Sequence, residues 1–372
     1  MAWDRGWGLA LWLHYASSHQ RGDSVLWVKG EYFDQFDAAA LAARGLLDRD
    51  AQPEMFDRLA WFRATWAHIA PGISPLIVRA VSEKAQAWLF FARQADGSLT
   101  ALSSWYTLAF CPVYSGAPDD VVKLRLLTAI AKRMRHPAMK IGCIALRPVP
   151  VEDGTAALIA KAFVRAGWGA TRSPATVNWI ADLTDKDFET YWAERPGQVR
   201  STVGRKGPKT QMEITIFDRF DEPAWADYEA VYATSWKPEE GSPAFVRAMA
   251  ESEGSAGTLR LGIGKIAGEA VAAQLWTVEN GKAIIHKLAY AEAATELSPG
   301  TLLSHAMFKR AIEQDQVTMI DYGTGDDGYK AGWMDRARPL EQISLFNLRR
   351  ASGLIGYARE RLSGLVRRAP VD

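Results

Sequence analysis

Two stretches of this chain carry residue types in an order that could do chemistry: Ser298-Pro299-Gly300-Thr301-Leu302-Leu303, and Asp321 to Lys330, which reads DYGTGDDGYK. The first reads as a helix start suited to an anion. Ser298 suits an N-cap, whose hydroxyl accepts an N–H from the first turn. Pro299 suits the first helical position, where no N–H is needed. Gly300 and Thr301 then leave first-turn N–H groups open, and these, with the positive end of the helix dipole, make a phosphate site. The second stretch puts Asp321, Asp326 and Asp327 within seven residues, in a loop broken by glycines. Carboxylates so close repel one another and do nothing for folding, so the loop reads as the holder of a cationic amine or a sugar hydroxyl. The other reading is that Lys330 neutralises one of them. The Asp-x-Asp-x-Asp-Gly spacing of a calcium loop is absent, and no metal site is expected.

These residues need a frame. Thr258 to Lys265, Ala270 to Thr277 and Lys282 to Tyr290 read as strands, and Asn280-Gly281 tolerates the positive φ of a hairpin turn between the last two. A helix from Pro299, a strand over Thr318 to Tyr322, a short helix around Tyr329 to Trp333 and a strand over Leu340 to Leu348 follow. His286 and Tyr290 share strand parity, so both are expected on one side of the sheet, and Gln274 on the neighbouring strand is expected at the same cleft. His286 has the ordinary pKa range of a general base; it reads equally as a hydrogen-bonded core histidine.

The order of meander, helix with an open N-terminus and further strand, together with SPGTLL and DYGTGDDGYKAGW, resembles the GNAT acyltransferase fold. Within it the resemblance is to the cellulose-biosynthesis-type branch, related to the FemAB-type aminoacyl transferases, and it covers residues 185–350. The usual glycine-rich pyrophosphate loop is reduced here to Ser298-Pro299-Gly300. The resemblance implies acetyl-CoA or another acyl-CoA held at Ser298, Pro299, Gly300 and Thr301, and N-acylation of an amine or amino-sugar in polysaccharide or envelope building. It places Trp236 and Lys237 along the acceptor cleft with Gln274, Tyr290, Asp321 and Lys330. His286, Asp326, Asp327 and Tyr329 are the catalytic candidates, with Tyr329 or Tyr322 protonating the leaving thiolate. Two other functions stand beside it: aminoacyl transfer from charged tRNA, and a non-catalytic assembly role.

The first half repeats the pattern. Leu76 to Val81, Ala87 to Arg93, Leu99 to Trp105, Ala138 to Leu146 and Val177 to Leu183 read as strands. Asp119 to Met134 and Thr155 to Ala166 read as helices, the latter ended by Gly167. The expected fold is therefore mixed α/β: two tandem GNAT-like units, each a mostly antiparallel sheet flanked by helices. Pro118-Asp119-Asp120 puts two carboxylates where the second half has none, and they would repel a pyrophosphate. The donor is therefore expected on 185–350, and 25–184 is expected to be a degenerate unit. Between the units, Pro196 to Lys209 reads as a basic, solvated connector, or as a contact for donor phosphates.

Composition bounds the rest. The 372 residues exceed the usual single core, and 48% apolar residues with a net charge of +1 argue for a globular protein and against bulk nucleic-acid binding, so no DNA partner is expected. Cys111 and Cys143 show neither metal spacing nor a disulfide framework, so a reduced, cytoplasmic setting is expected. Fifteen tryptophans read as core or as a sugar-stacking face. Trp7 to Trp12 is too short for a membrane span, and 1–24 is expected to be an arm rather than a signal peptide. Residues 351–372 read as a basic amphipathic helix with Leu354, Tyr357, Leu362 and Leu365 on one face. It is expected to dock on its own protein or to touch an anionic membrane surface.

Overall fold

The computed structural model describes residues 28–366; the arm at 1–24, residues 367–372 and the Leu365 side chain lie outside the described residues. The chain opens with strand β1 (Lys29–Phe33), helices α1 (Phe36–Ala43) and α2 (Leu59–Ile69), and strands β2 (Ser74–Val81), β3 (Gln86–Arg93), β4 (Leu99–Ala101) and β5 (Val113–Ser115). Helix α3 (Asp120–Met134), strand β6 (Cys143–Pro150), helix α4 (Thr155–Arg165) and the long strand β7 (Gly169–Asp182) complete the first half. The second half holds α5 (Phe188–Ala193), α6 (Gly197–Thr210), β8 (Glu213–Phe217), α7 (Glu222–Ala233) and α8 (Pro243–Ser255). The strands β9 (Leu259–Ile266), β10 (Glu269–Glu279) and β11 (Lys282–Tyr290) follow, then α9 (Pro299–Glu313), β12 (Met319–Thr324), β13 (Arg336–Phe346) and α10 (Ala351–Val366).

Local chemistry explains the boundaries. Asp119 caps α3 by accepting from the Val122 N–H at 2.8 Å. Asn280 and Gly281, at φ 52° and 73°, make the two-residue turn that joins β10 to β11. Three expectations shift. The strand placed at 138–146 begins only at Cys143, because Pro137 starts a 3-10 turn. The strand placed at 99–105 stops at Ala101. The stretch read as a connector is helix α6, which buries only Thr210 and so shows no apolar period.

All strands join one 13-stranded sheet in the order β1-β2-β3-β4-β6-β13-β7-β12-β11-β10-β9-β8, with β5 on β3. Each half has a parallel pair linked by a helix: β4 and β6 through α3, β11 and β12 through α9. The halves then exchange strands. β13, from the second half, lies between β6 and β7, and β7, from the first, lies between β13 and β12. Thus neither half's sheet is complete without the other. A buried polar network pins this seam. Asn178 Nδ2 on β7 donates to Asp321 Oδ1 on β12 at 2.6 Å, and Arg338 on β13 reaches Asp321 Oδ2 at 3.2 Å.

The core sits on both faces of the sheet. On one face α9 packs Leu303, Met307 and Phe308 with Trp276, Ile320 and Tyr322, while Phe245, Tyr228, Ile284 and Ala289 belong to a second cluster. Helix α10 docks on β13 and β7, through Gly356 against Phe346 and Tyr357 against Gly169. Leu354 and Leu362 are 52% and 64% exposed, so the docking face is not the leucine face expected.

Candidate active site

The two strands that follow the β10–β11 hairpin part company. β11 pairs with β12 only at Lys282↔Met319, Ala283↔Ile320 and Ile284↔Asp321, although β11 runs on to Tyr290 and β12 to Thr324. A cleft therefore opens between them, with facing strand edges on which an extended, amide-bearing chain could pair. Both strands carry irregularities there. The register of β10 with β11 jumps from Leu275↔Lys287 to Trp276↔Ile285, which leaves His286 as a bulge. The β12–β7 register jumps between Asp321 and Thr324.

Beside the splayed end of β11, at Tyr290, stands the start of α9. Ser298 is not an ordinary N-cap: it sits at φ 54° and its side chain caps nothing. Its carbonyl accepts from the N–H groups of Thr301 and Leu302, at 3.1 and 3.2 Å. The open first-turn N–H is that of Gly300, which has no partner among the described residues. Helix α6 lies alongside, and Lys206 Nζ donates to the Glu296 carbonyl just before α9. One cation thus stands at the helix terminus. Gly300 is glycine for a packing reason: a Cβ there would stand 2.9 Å from Tyr290 Cδ1. Gly300→Ala should therefore cost about 1–3 kcal/mol, read as a fall in melting temperature, whether or not an anion binds.

The expected pairing of His286 with Tyr290 is corrected by the bulge. Tyr290 packs on the α9 face, whereas His286 Nε2 lies 2.9 Å from Thr277 Oγ1, which pairs across from Ile284 on the opposite face. Burial, and then the charge of Lys287, push His286 down to about 3. It is neutral at pH 7 and a weak base. Gln274 is on the α9 side with Tyr290 but fully buried; it donates to Ser304 Oγ at 2.8 Å and accepts from Trp276 Nε1 at 2.9 Å. It braces α9 and offers nothing to a substrate.

The three carboxylates do not converge. Asp321 is turned into the seam network. Asp327 meets Lys330 Nζ at 3.2 Å, and that buried ammonium also donates to the Thr324 carbonyl at 2.6 Å and the Gly325 carbonyl at 3.3 Å. Lys330 therefore folds the loop around itself and is not free for a substrate. Burial lowers its pKa, and Asp327 opposes the shift. Asp326 is exposed, and no side-chain partner holds it among the described residues. Tyr329 is 42% exposed and is pushed up to about 12 by desolvation and by Asp327.

Across the cleft is the Ser235-Trp236-Lys237 loop, tied to the end of β11 by the Ser235↔Ala291 bridge. Trp236 is 50% exposed. Lys237 has no carboxylate partner among the described residues, and burial, then Lys287, lower its pKa. Asp327 and Lys330 are close enough to act on it, so the two banks face each other.

Two further contributors stand at the cleft: Tyr322, expected above as a proton donor, and a segment of the first half that the sequence did not point to. Tyr322 is buried, and its hydroxyl makes no hydrogen bond of normal geometry among the described residues; burial raises its pKa well above the ordinary value, and the nearby Ser304 hydroxyl opposes the rise. Segment 102–112 of the first half leans over the cleft. Leu108 borders Gly323, and the exposed Trp105 covers Gly241. A groove of about 560 Å³ runs from Thr324 and Gly325 past Trp105, Ser103, Arg147 and Gln342. The same segment closes the corresponding opening of the first half. Phe110 N–H donates to the Pro148 carbonyl at 2.7 Å, and Ser103 Oγ to the Arg147 carbonyl at 2.7 Å, so the β6 edge is occupied. The Trp105-Tyr106 pair after two serines was the one legible signal.

Known proteins now bear on this geometry. The family model described as the acetyltransferase (GNAT) domain matches residues 192–331, from the end of α5 to the Lys330 turn. Among solved structures, a conserved protein of unknown function from Bacteroides thetaiotaomicron VPI-5482 is 15% identical, covering 85% of this chain and 99% of its own, with a TM-score of 0.53. FemX is 12% identical, covering 77% of this chain and 95% of its own, with a TM-score of 0.51. No curated protein matches the chain. Residues 192–331 are thus similar to a GNAT acetyltransferase domain, and the chain shares its mixed α/β fold with these two structures over 85% and 77% of its length.

Proposed function

We propose that the chain moves an acyl group, acetyl or a close relative, from a coenzyme A thioester to the amine of a small molecule or amino-sugar. The observation that carries this reading is the parting of β11 and β12 beside the start of α9, within the GNAT-like residues. The donor's phosphates would meet the Gly300 N–H, the helix dipole and Lys206. Its amide-bearing arm would pair along the open strand edges, with the thioester near Tyr322 and Gly323. The acceptor would lie in the groove past Trp105, with Asp326 and Asp327 holding its ammonium and Trp236 beside it. The ammonium first gives one proton to solvent; the free amine attacks the thioester carbonyl, the C–S bond breaks, and the nitrogen loses a second proton. His286 is too weak a base for that proton, and a neutral Lys237 would take it. Tyr322 keeps its proton and would donate it toward the departing sulfur. The resemblance to the cellulose-biosynthesis-type branch points to an acceptor used in polysaccharide or envelope building, in the cytoplasm.

The two banks provide the test. Asp327→Asn should lower transfer to an amine panel about tenfold or more, because a misplaced acceptor loses effective molarity. It should leave CoA affinity unchanged, since the donor rests on α6 and α9. The Asp327–Lys330 pair is largely exposed at the carboxylate, so the melting temperature should barely move. Full activity in this variant would return the loop to a purely structural role.

A further inference from the structure

Helix α10 turns its small residues to the sheet and its large apolar ones to solvent. At about 100° per residue, Gly353, Gly356, Tyr357 and Glu360 share one side. A Cβ on Gly353 would collide with the Asn347 carbonyl, and one on Gly356 would stand 3.0 Å from the Phe346 ring. The helix backbone itself is therefore seated against the end of β13. The opposite side carries Ala351, Leu354, Ile355, Ala358 and Leu362, in an arc about 100° wide. All five are exposed, and Leu354, Ile355 and Leu362 are 52%, 69% and 64% open to solvent. Single exposed leucines are ordinary, but a contiguous apolar stripe marks an interaction surface.

Charge frames this stripe. The same helical spacing puts Arg361 at one margin and Arg359 at the other, both exposed. Arg349 and Arg350 stand just before the helix. A further cation is near: burial, and then the charge of Arg349, lower the pKa of Arg135. None of the four arginines from Arg349 to Arg361 has an ion-pair partner among the described residues. Glu360, the one carboxylate of α10, is half-buried on the sheet side, away from the stripe. The chain as a whole carries a net charge of only +1, so this is a local concentration of positive charge.

We propose that the outer face of α10 seats on an anionic lipid bilayer, with the helix axis in the plane of the surface. Leu354, Ile355 and Leu362 enter the boundary between headgroups and acyl chains, and the arginines at the margins meet lipid phosphates. A stripe that is apolar at its centre and cationic at both edges matches a surface that is apolar beneath and anionic above. A second copy of the chain is a poorer occupant, because a two-fold contact through this stripe would set arginines against arginines. The helix lies on the membrane and does not span it. It has 16 residues, and no helix among the described residues is long and apolar enough to cross. The inference does not rest on the acyl-transfer reading.

The test is sedimentation of the full chain with vesicles of phosphatidylcholine alone, or of phosphatidylcholine with about a third phosphatidylglycerol, at about 0.15 M salt. The chain should partition onto the anionic vesicles at least about tenfold better than onto the neutral ones, and added salt should narrow the difference. Ile355→Glu combined with Leu362→Glu should cut binding to the anionic vesicles about a hundredfold. Arg359→Gln combined with Arg361→Gln should cut it about tenfold and flatten its salt dependence. All four side chains are exposed, so the melting temperatures should stay near the parent's. Three results would overturn the proposal: no binding to the anionic vesicles, equal binding to both kinds, or undiminished binding by the Ile355→Glu, Leu362→Glu protein. Self-association in solution that this same pair of substitutions abolishes would also overturn it, by giving the stripe to a second copy.

Discussion

Tyr322→Phe is expected to lower acyl transfer about a hundredfold while leaving the protein as stable as before or more so. The two effects have one cause. The Tyr322 hydroxyl is buried with only the Ser304 hydroxyl near it and no hydrogen bond of normal geometry among the described residues, and an orphaned buried hydroxyl costs the folded state about 1–3 kcal/mol. Phenylalanine keeps the ring against α9 and removes the orphan, so the melting temperature should hold or rise. If the hydroxyl instead waits for the sulfur of a thioester, its loss removes a proton donor from the transition state, and general acid groups are worth about a hundredfold or more. CoA affinity should hardly change, because the phosphates lie elsewhere. Steady-state transfer with a thermal melt separates the outcomes: unchanged turnover in a variant that melts higher would make Tyr322 a core residue with a tolerated flaw.

Lys206→Glu should weaken CoA binding about ten- to a hundredfold, the range of one to two charge-assisted hydrogen bonds lost. Lys206 is half-buried, and in the unliganded chain its Nζ donates to the Glu296 carbonyl at the threshold of α9. A donor phosphate would compete for that ammonium, and a carboxylate in its place would repel it. The effect should shrink with added salt, since the site is open to solvent. Turnover at saturating donor should be close to the parent's. A titration that gives equal affinities for the two proteins would move the phosphates away from α6.

Much of the second half was legible because its signals are local. Asn280-Gly281 dictates a hairpin through φ alone, and Pro299 marks a helix start whatever lies around it. The strand exchange was not legible, since the pairing of β7 with β12 and of β13 with β6 is decided across more than about 130 residues, by complementarity no short window carries. The same holds for function. Parity placed His286 beside Tyr290, but the bulge turned one of them over. Composition grouped Asp321 with Asp326 and Asp327, but Asp321 answers to Arg338 and Asn178, which lie on other strands. Gly300 read as room for a phosphate, and the nearest atom to its missing Cβ belongs to Tyr290. Helix α6 hid because it buries almost nothing, and so its cations read as a connector's.

The most direct measurement is transfer itself. Purified protein is incubated with acetyl-CoA and a panel of amines and amino-sugars, with free thiol and acylated product followed together by mass spectrometry. If the β11–β12 cleft is an acyl-transfer site, at least one acceptor yields an N-acetyl product with one thiol released per acyl group moved, and Tyr322→Phe and Lys206→Glu each suppress it. The contradicting result is a folded protein that neither binds CoA nor releases thiol with any acceptor, above all if it instead discharges aminoacyl-tRNA.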